Sequence, residues 1–130
     1  MFSLTSKQKE QLSAISDEFA LNFIVLFGSY AQKYERQGSD IDIAVSTEER
    51  LDYRQEFLLK KALQSVFAAA EVDLAQVSDA SPLFLYHIAF KSELLYERTK
   101  QSFSYFQMYA FKRYVEARPL YALQKMSLAK

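Results

Sequence analysis

Five consecutive apolar residues, Phe23-Ile-Val-Leu-Phe27, stop abruptly at Gly28-Ser29. A wholly apolar run of this length reads as a strand covered on both faces, so it calls for a sheet flanked by helices. After a gap of ten residues beyond Ser29 comes Asp40, in Gly38-Ser-Asp-Ile-Asp-Ile-Ala-Val45, where Asp40 and Asp42 alternate with isoleucines. A third short apolar run, Val72 to Val77, carries Asp73. In a strand alternate side chains share a face, so Asp40 and Asp42 point one way while Ile41, Ile43 and Val45 point into a core.

The remaining pattern fills in around these strands. Leu4, Leu12, Ile15 and Phe19 recur at helical spacing, with Thr5 or Ser6 as the cap, giving a helix to about Phe19 with Asn22 as its breaker. Gly28 is expected to turn the chain into a short helix from Ser29 to about Glu35, and residues 36–39 form a loop. A long helix runs from about Leu51 to Ala69 with Phe57, Leu58, Ala62, Leu63 and Val66 inward. Ser81-Pro82 is a cap with proline at the first helical position, opening a helix to about Lys91. Leu94 to Glu97 reads as a short edge strand. A helix from about Lys100 runs towards Pro119, and Tyr121 to Ala129 form another. The expected fold class is α/β, a small mixed sheet flanked by helices with a helical C-terminal extension. One domain over residues 1–130 fits this length, with its core at about 20–97 and the extension at about 98–130.

Composition excludes several classes. There is no cysteine, so neither a disulfide nor a thiolate metal site exists. One histidine, His87, cannot build a zinc site or a Ser-His-Asp triad, and in its helix it reads as a surface or half-buried residue. No apolar stretch spans a bilayer, and the N-terminus lacks a basic region followed by an apolar one, so a soluble, cytoplasmic protein without membrane contact is expected. Net charge is zero, which argues against broad nucleic-acid binding. The charge is nevertheless uneven: residues 98–130 hold seven Lys/Arg against one acidic residue, Glu116. That quarter is either a solvated basic face or a docking surface.

Neighbouring carboxylates repel, and a divalent cation reverses the penalty because hard cations take oxygen ligands. Asp40, Asp42 and Asp73 together suit Mg²⁺, two ions in the scheme by which paired metals bind a triphosphate. Asp73 is also placed to accept the proton of an acceptor hydroxyl. Gly28 allows close backbone approach, Ser29 adds a hydroxyl, and N–H groups opening a helix favour an anion. Lys33, one turn on, adds positive charge. Taken singly, a Gly-Ser is usually a turn and an Asp-x-Asp usually flanks a loop. Their conjunction with a third acidic strand points to nucleotidyl transfer.

Gly28-Ser29, ten residues, then Asp40-x-Asp42 resembles the signature of the nucleotidyltransferase superfamily with a DNA polymerase beta-like fold. The small size resembles its minimal nucleotidyltransferase (MNT) branch, and Leu94-Leu-Tyr-Glu97 looks like that branch's late strand. The resemblance implies an antitoxin paired, as a hetero-oligomer, with a HEPN-domain ribonuclease toxin. It implies transfer of AMP from the substrate ATP to a tyrosine of that toxin with Mg²⁺. Carried over, Gly28 and Ser29 bind phosphate and Asp40, Asp42 and Asp73 bind metal. Members often read Gly-Ser-Tyr/Phe-Ala-Arg-Gly; here Gln32-Lys33 follows Ala31, so either Lys33 replaces the arginine or activity is reduced.

The stretch Phe103 to Tyr114 has too many aromatics for one helix face. Phe103, Phe106, Ala110 and Tyr114 form one stripe; Tyr105, Met108, Tyr109 and Lys112 lie elsewhere. Either both stripes are core, or the second binds a partner through Tyr105 and Tyr109 with Lys112 and Arg113 steering. Three readings follow: a metal-dependent enzyme modifying a partner protein, a docking antitoxin of the same fold without catalysis, and transfer to a small molecule such as an aminoglycoside, which usually needs a further substrate domain.

Overall fold

A computed structural model describes residues 3–27 and 40–128, the last eight as backbone only. The first helix, α1 (Ser6–Phe19), starts at Thr5. Thr5 Oγ1 accepts from the Gln8 N–H at 3.1 Å, and Gln8 Oε1 accepts from the Thr5 N–H at 3.0 Å. This reciprocal box satisfies two orphan donors of the first turn. The helix ends at Ala20, which takes a left-handed conformation at φ 55°. The helix thus ends at Phe19 as expected, but Asn22 is not its breaker: it lies inside strand β1 (Leu21–Phe27).

Strand β2 (Ile41–Thr47) runs antiparallel to β1. Helix α2 (Tyr53–Phe67) then crosses over to β3 (Val72–Gln76), which lies parallel to β2. A single 3-10 turn (Val77–Asp79) leads to α3 (Pro82–Phe90), where Ser81 Oγ accepts from the Phe84 N–H at 3.3 Å. Edge strand β4 (Ser92–Glu97) pairs antiparallel with β1. The sheet order is β3-β2-β1-β4, and the mixed sheet follows the expectation from sequence.

From Phe23 to Phe27 β1 is wholly apolar because both its faces are covered. On one side Ile24 and Leu26 join Ile43 and Val45 under Leu12 of α1 and Leu59 and Leu63 of α2. On the other, Phe23, Val25 and Ala44 meet Leu85, Ile88 and Ala89 of α3 and Phe106 and Ala110 of α4 (Ser102–Leu128). Phe23 anchors α4, its ring centroid 5.1 Å from both Phe103 and Phe106. Burying rings of this size contributes about 2–3 kcal/mol each.

Two expectations need correction. Phe57 and Leu58 face solvent, while Leu59, Leu63, Val66 and Phe67 form the buried stripe of α2. At 3.6 residues per turn, Leu58 and Phe57 are rotated by about 100° and 200° from Leu59, so they cannot share its face. Secondly, α4 is one helix that continues through Pro119. The proline forfeits a single hydrogen bond, to the carbonyl four residues back, and the ladder on either side carries the helix on. The short helix expected at 29–35 lies outside the described residues. No helix among the described residues is long and apolar enough to cross a membrane.

Candidate active site

The sheet's geometry gathers the carboxylates at one end. β2 and β3 run parallel and in register, so Asp42 and Asp73 are direct neighbours. Phe27, the residue before Gly28, is paired opposite Asp42 on the other side. Asp42 shares a face with Ala44 and Ser46, the face covered further along by α3 and α4. At the carboxylate end that cover thins: Phe84 of α3 packs edge-on against Phe27 at 5.3 Å, while Asp42 is half-buried and Asp73 exposed.

The electrostatics are those of a strained pair. Partial burial pushes the Asp42 carboxyl up to about 6. The Asp73 charge adds to this, as does a hydrogen bond between the two side chains, and the Asp40 charge contributes last. A shared proton relieves such a pair at low pH; a cation does so at neutral pH. The structure thus joins Asp42 to Asp73, while Asp40, exposed and just ahead of β2, acts on them through its charge. Among the described residues no group of three His, Cys, Asp or Glu side chains is arranged to hold a metal ion. The donor set itself, hard carboxylate oxygens with an unfavourable mutual charge, fits Mg²⁺. Gly28, Ser29 and Lys33 lie outside the described residues.

Sequence patterns gave no role to Gln76, yet it fixes the strand that carries Asp73. Its buried amide is bonded to Leu51 in both directions: Gln76 Oε1 accepts from the Leu51 N–H at 2.8 Å, and Gln76 Nε2 donates to the Leu51 carbonyl at 3.1 Å. Arg50 next door makes a bidentate bridge to Asp79, with Nη2 to Oδ2 at 2.9 Å. The available signal was a glutamine closing a short strand whose one other polar residue is Asp73. His87 is exposed, as its helix position implied.

On α4, Phe106 and Ala110 are buried while Tyr105, Met108, Tyr109 and Phe111 are 65, 69, 50 and 54 % exposed. Arg113 donates from Nη1 to the Tyr109 hydroxyl at 2.9 Å, and its guanidinium lies 5.8 Å from that ring's centre. Lys112 is exposed beside them.

A family model described as polymerase beta, nucleotidyltransferase matches residues 10–101. Among solved structures, a toxin–antitoxin complex with AMP-PNP superposes with a TM-score of 0.76 at 24 % identity, covering 94 % of this chain and 98 % of that one. The MNT antitoxin in complex with a tri-AMPylated HEPN toxin of Shewanella oneidensis gives 0.73 at 22 % identity, covering 95 % and 98 %. A toxin–antitoxin complex named MntA-HepT gives 0.73 at 21 %, covering 97 % and 100 %. At these identities the likeness is one of fold. No curated protein matches the chain.

Proposed function

Because this chain belongs to the polymerase beta nucleotidyltransferase family, we propose that it transfers AMP from ATP to a tyrosine of a HEPN ribonuclease toxin and so acts as its antitoxin. The observation that carries this reading is the in-register Asp42–Asp73 pair at the thinly covered end of the sheet. The neighbours of like fold add weight, since one is a complex with AMP-PNP and another holds an AMPylated HEPN toxin.

In this reading Asp40, Asp42 and Asp73 hold Mg²⁺. The ion's chemistry is to neutralise the triphosphate and steady the oxygens at the reacting phosphorus. Gly28 and Ser29 bind phosphate, and Lys33 supplies charge. Asp73, the more exposed of the pair, takes the proton of the attacking tyrosine hydroxyl. A bond forms from that oxygen to the α-phosphorus, the bond to the bridging oxygen breaks, and pyrophosphate leaves. Phe27 and Phe84 wall the site on the side of α3.

The exposed aromatics of α4 support a docking role as well. Tyr105 and Tyr109 would fill pockets on the toxin while Lys112 and Arg113 guide approach. A docking antitoxin without catalysis is the second reading that this surface favours. Incubating the purified protein with labelled ATP, Mg²⁺ and a HEPN-type partner, then weighing the intact partner, separates the two. A gain of one or more AMP units supports transfer; tight binding with no mass gain leaves docking alone.

A further inference from the structure

The face that holds Asp42 at one end opens at its other end into a cavity of about 530 Å³. Asp42 and Ser46, which lines the cavity, are four residues apart, about 13 Å along the strand. The two sites are therefore separate. The cavity's size suits a small ligand. Its walls are Phe23, Leu85 and Phe106, and its rim holds Tyr105, Lys100 and Arg113. Among the described residues no aspartate or glutamate lines it.

Hydrogen-bond accounting shows a surplus of donors. Asn22 links the floor, donating from Nδ2 to Ser46 Oγ at 3.5 Å and accepting from Thr99 Oγ1 at 3.2 Å, while Ser102 Oγ donates to the Asn22 carbonyl at 3.3 Å. Those contacts leave the Ser46 and Ser78 hydroxyl protons without a partner among the described residues. Lys100 and Arg113 have no carboxylate partner among the described residues either. Arg113 commits one N–H to Tyr109 and keeps the rest of its five donors. Its guanidinium already lies beside the Tyr109 ring, so Tyr105 is the unoccupied aromatic face. Two cations, spare hydroxyls and a free ring call for an anion rich in acceptors and attached to a flat group.

We propose that this cavity is a second ligand site that takes a free nucleoside monophosphate, with its phosphate against Lys100 and Arg113 and its ring on Tyr105. The inference does not rest on the transfer reading. A ligand there sits beneath Tyr105, Tyr109 and Arg113, so its binding is coupled to the surface offered to a partner.

The test titrates AMP, with chelator and no divalent cation, into the full chain carrying Asp42→Asn and Asp73→Asn, followed by calorimetry and amide NMR. The wild type with chelator serves if that variant does not fold. Expected are saturable binding, shifts at Ser46, Ser78 and residues 99–113, and competition by inorganic phosphate. Arg113→Gln and Lys100→Gln, each checked for folding by circular dichroism, should each weaken binding about tenfold or more. Adenosine, which lacks the phosphate, should bind more weakly by a similar factor. Absence of saturable binding, shifts confined to Phe27, Asp42 and Asp73, or unchanged affinity in Arg113→Gln would each overturn the proposal. So would a glutamate-rich peptide that moves the cavity residues where AMP does not, which would assign the cavity to an acidic protein segment.

Discussion

The two ends of one sheet face carry opposite chemistry. At the end where β2 and β3 begin, Asp42 and Asp73 stand side by side, and partial burial, then the Asp73 charge, pushes Asp42 up to about 6. At the end where β2 and β3 finish, Lys100, Arg113 and spare hydroxyls offer donors, and no acid among the described residues lines the cavity. Between them Val25 and Ala44 are fully buried under α3 and α4. A sheet face sealed in its middle keeps a cation-seeking end from neutralising an anion-seeking end.

The hardest blow to the carboxylate end is Asp42→Asn. The shape survives and a charge is lost, so a reaction that depends on cation-held phosphates should slow about a hundredfold or more. Transfer rates on a HEPN-type partner check this, and a rate within a few-fold of wild type would remove Asp42 from the chemistry. The same substitution should leave AMP binding at the cavity end within twofold, which sharpens the contrast.

Next in size is Gln76→Ala. It strands the Leu51 N–H in a buried place and leaves the Leu51 carbonyl to Arg50 Nη1 alone, at 3.1 Å, at a cost of about 1–3 kcal/mol in unfolding free energy. Denaturant titration measures it. Because β3 is tethered through this amide, transfer should fall as well, while Arg50→Gln, which breaks the exposed bridge to Asp79 and one bond to the Leu51 carbonyl, should cost less. Equal losses from the two would mean that the buried amide adds nothing to holding β3.

At the basic side, replacing Tyr105 and Tyr109 together by alanine should weaken a toxin complex by at least about 2 kcal/mol if they are its anchors. Both rings are at least half exposed, so the fold should survive, as circular dichroism can check. Calorimetry giving wild-type affinity would move the interface to the mouth of the carboxylate end.

Much of this was legible because the pattern and the physics coincide. The all-apolar Phe23–Phe27 run announced a strand covered on both sides, and Thr5, Ser81 and Pro82 marked helix starts by satisfying first-turn donors. Helical period divided α4 into two stripes but left open whether both are core; tertiary packing buries Phe106 and Ala110 and leaves Tyr105 and Tyr109 exposed. What escaped depended on tertiary context. Phe57 and Leu58 are apolar yet exposed, so apolar character there did not choose the face. Asn22 looked like a helix breaker, whereas it serves as a linker between β2 and the residues after β4. The cavity draws on residues spread from Asn22 to Arg113, with no spacing to betray it. The pairing of Asp42 with Asp73 was expected if their strands were adjacent; the parallel register supplies that adjacency.

The smallest effect concerns pH, and it distinguishes a strained pair from an ordinary surface acid. Asp42 has its carboxyl raised in the fold to about 6 from 3.8. A raised acid favours the fold when protonated, so its contribution is fully present below about 3.8 and is lost as pH rises through about 6. Asp42→Asn cannot ionise, so it should be level with wild type near pH 4 and the more stable of the two by pH 7. The gap is modest because water screens a side chain this open. Thermal melts of both proteins across that window, in chelator, give the difference, and titrations common to both cancel from it. Adding Mg²⁺ at pH 7 should then raise the melting temperature of wild type more than that of the variant, closing the gap. A difference that stays flat from pH 4 to 7 would show that Asp42 and Asp73 do not strain one another, and the carboxylate end would lose its claim to be built for a cation.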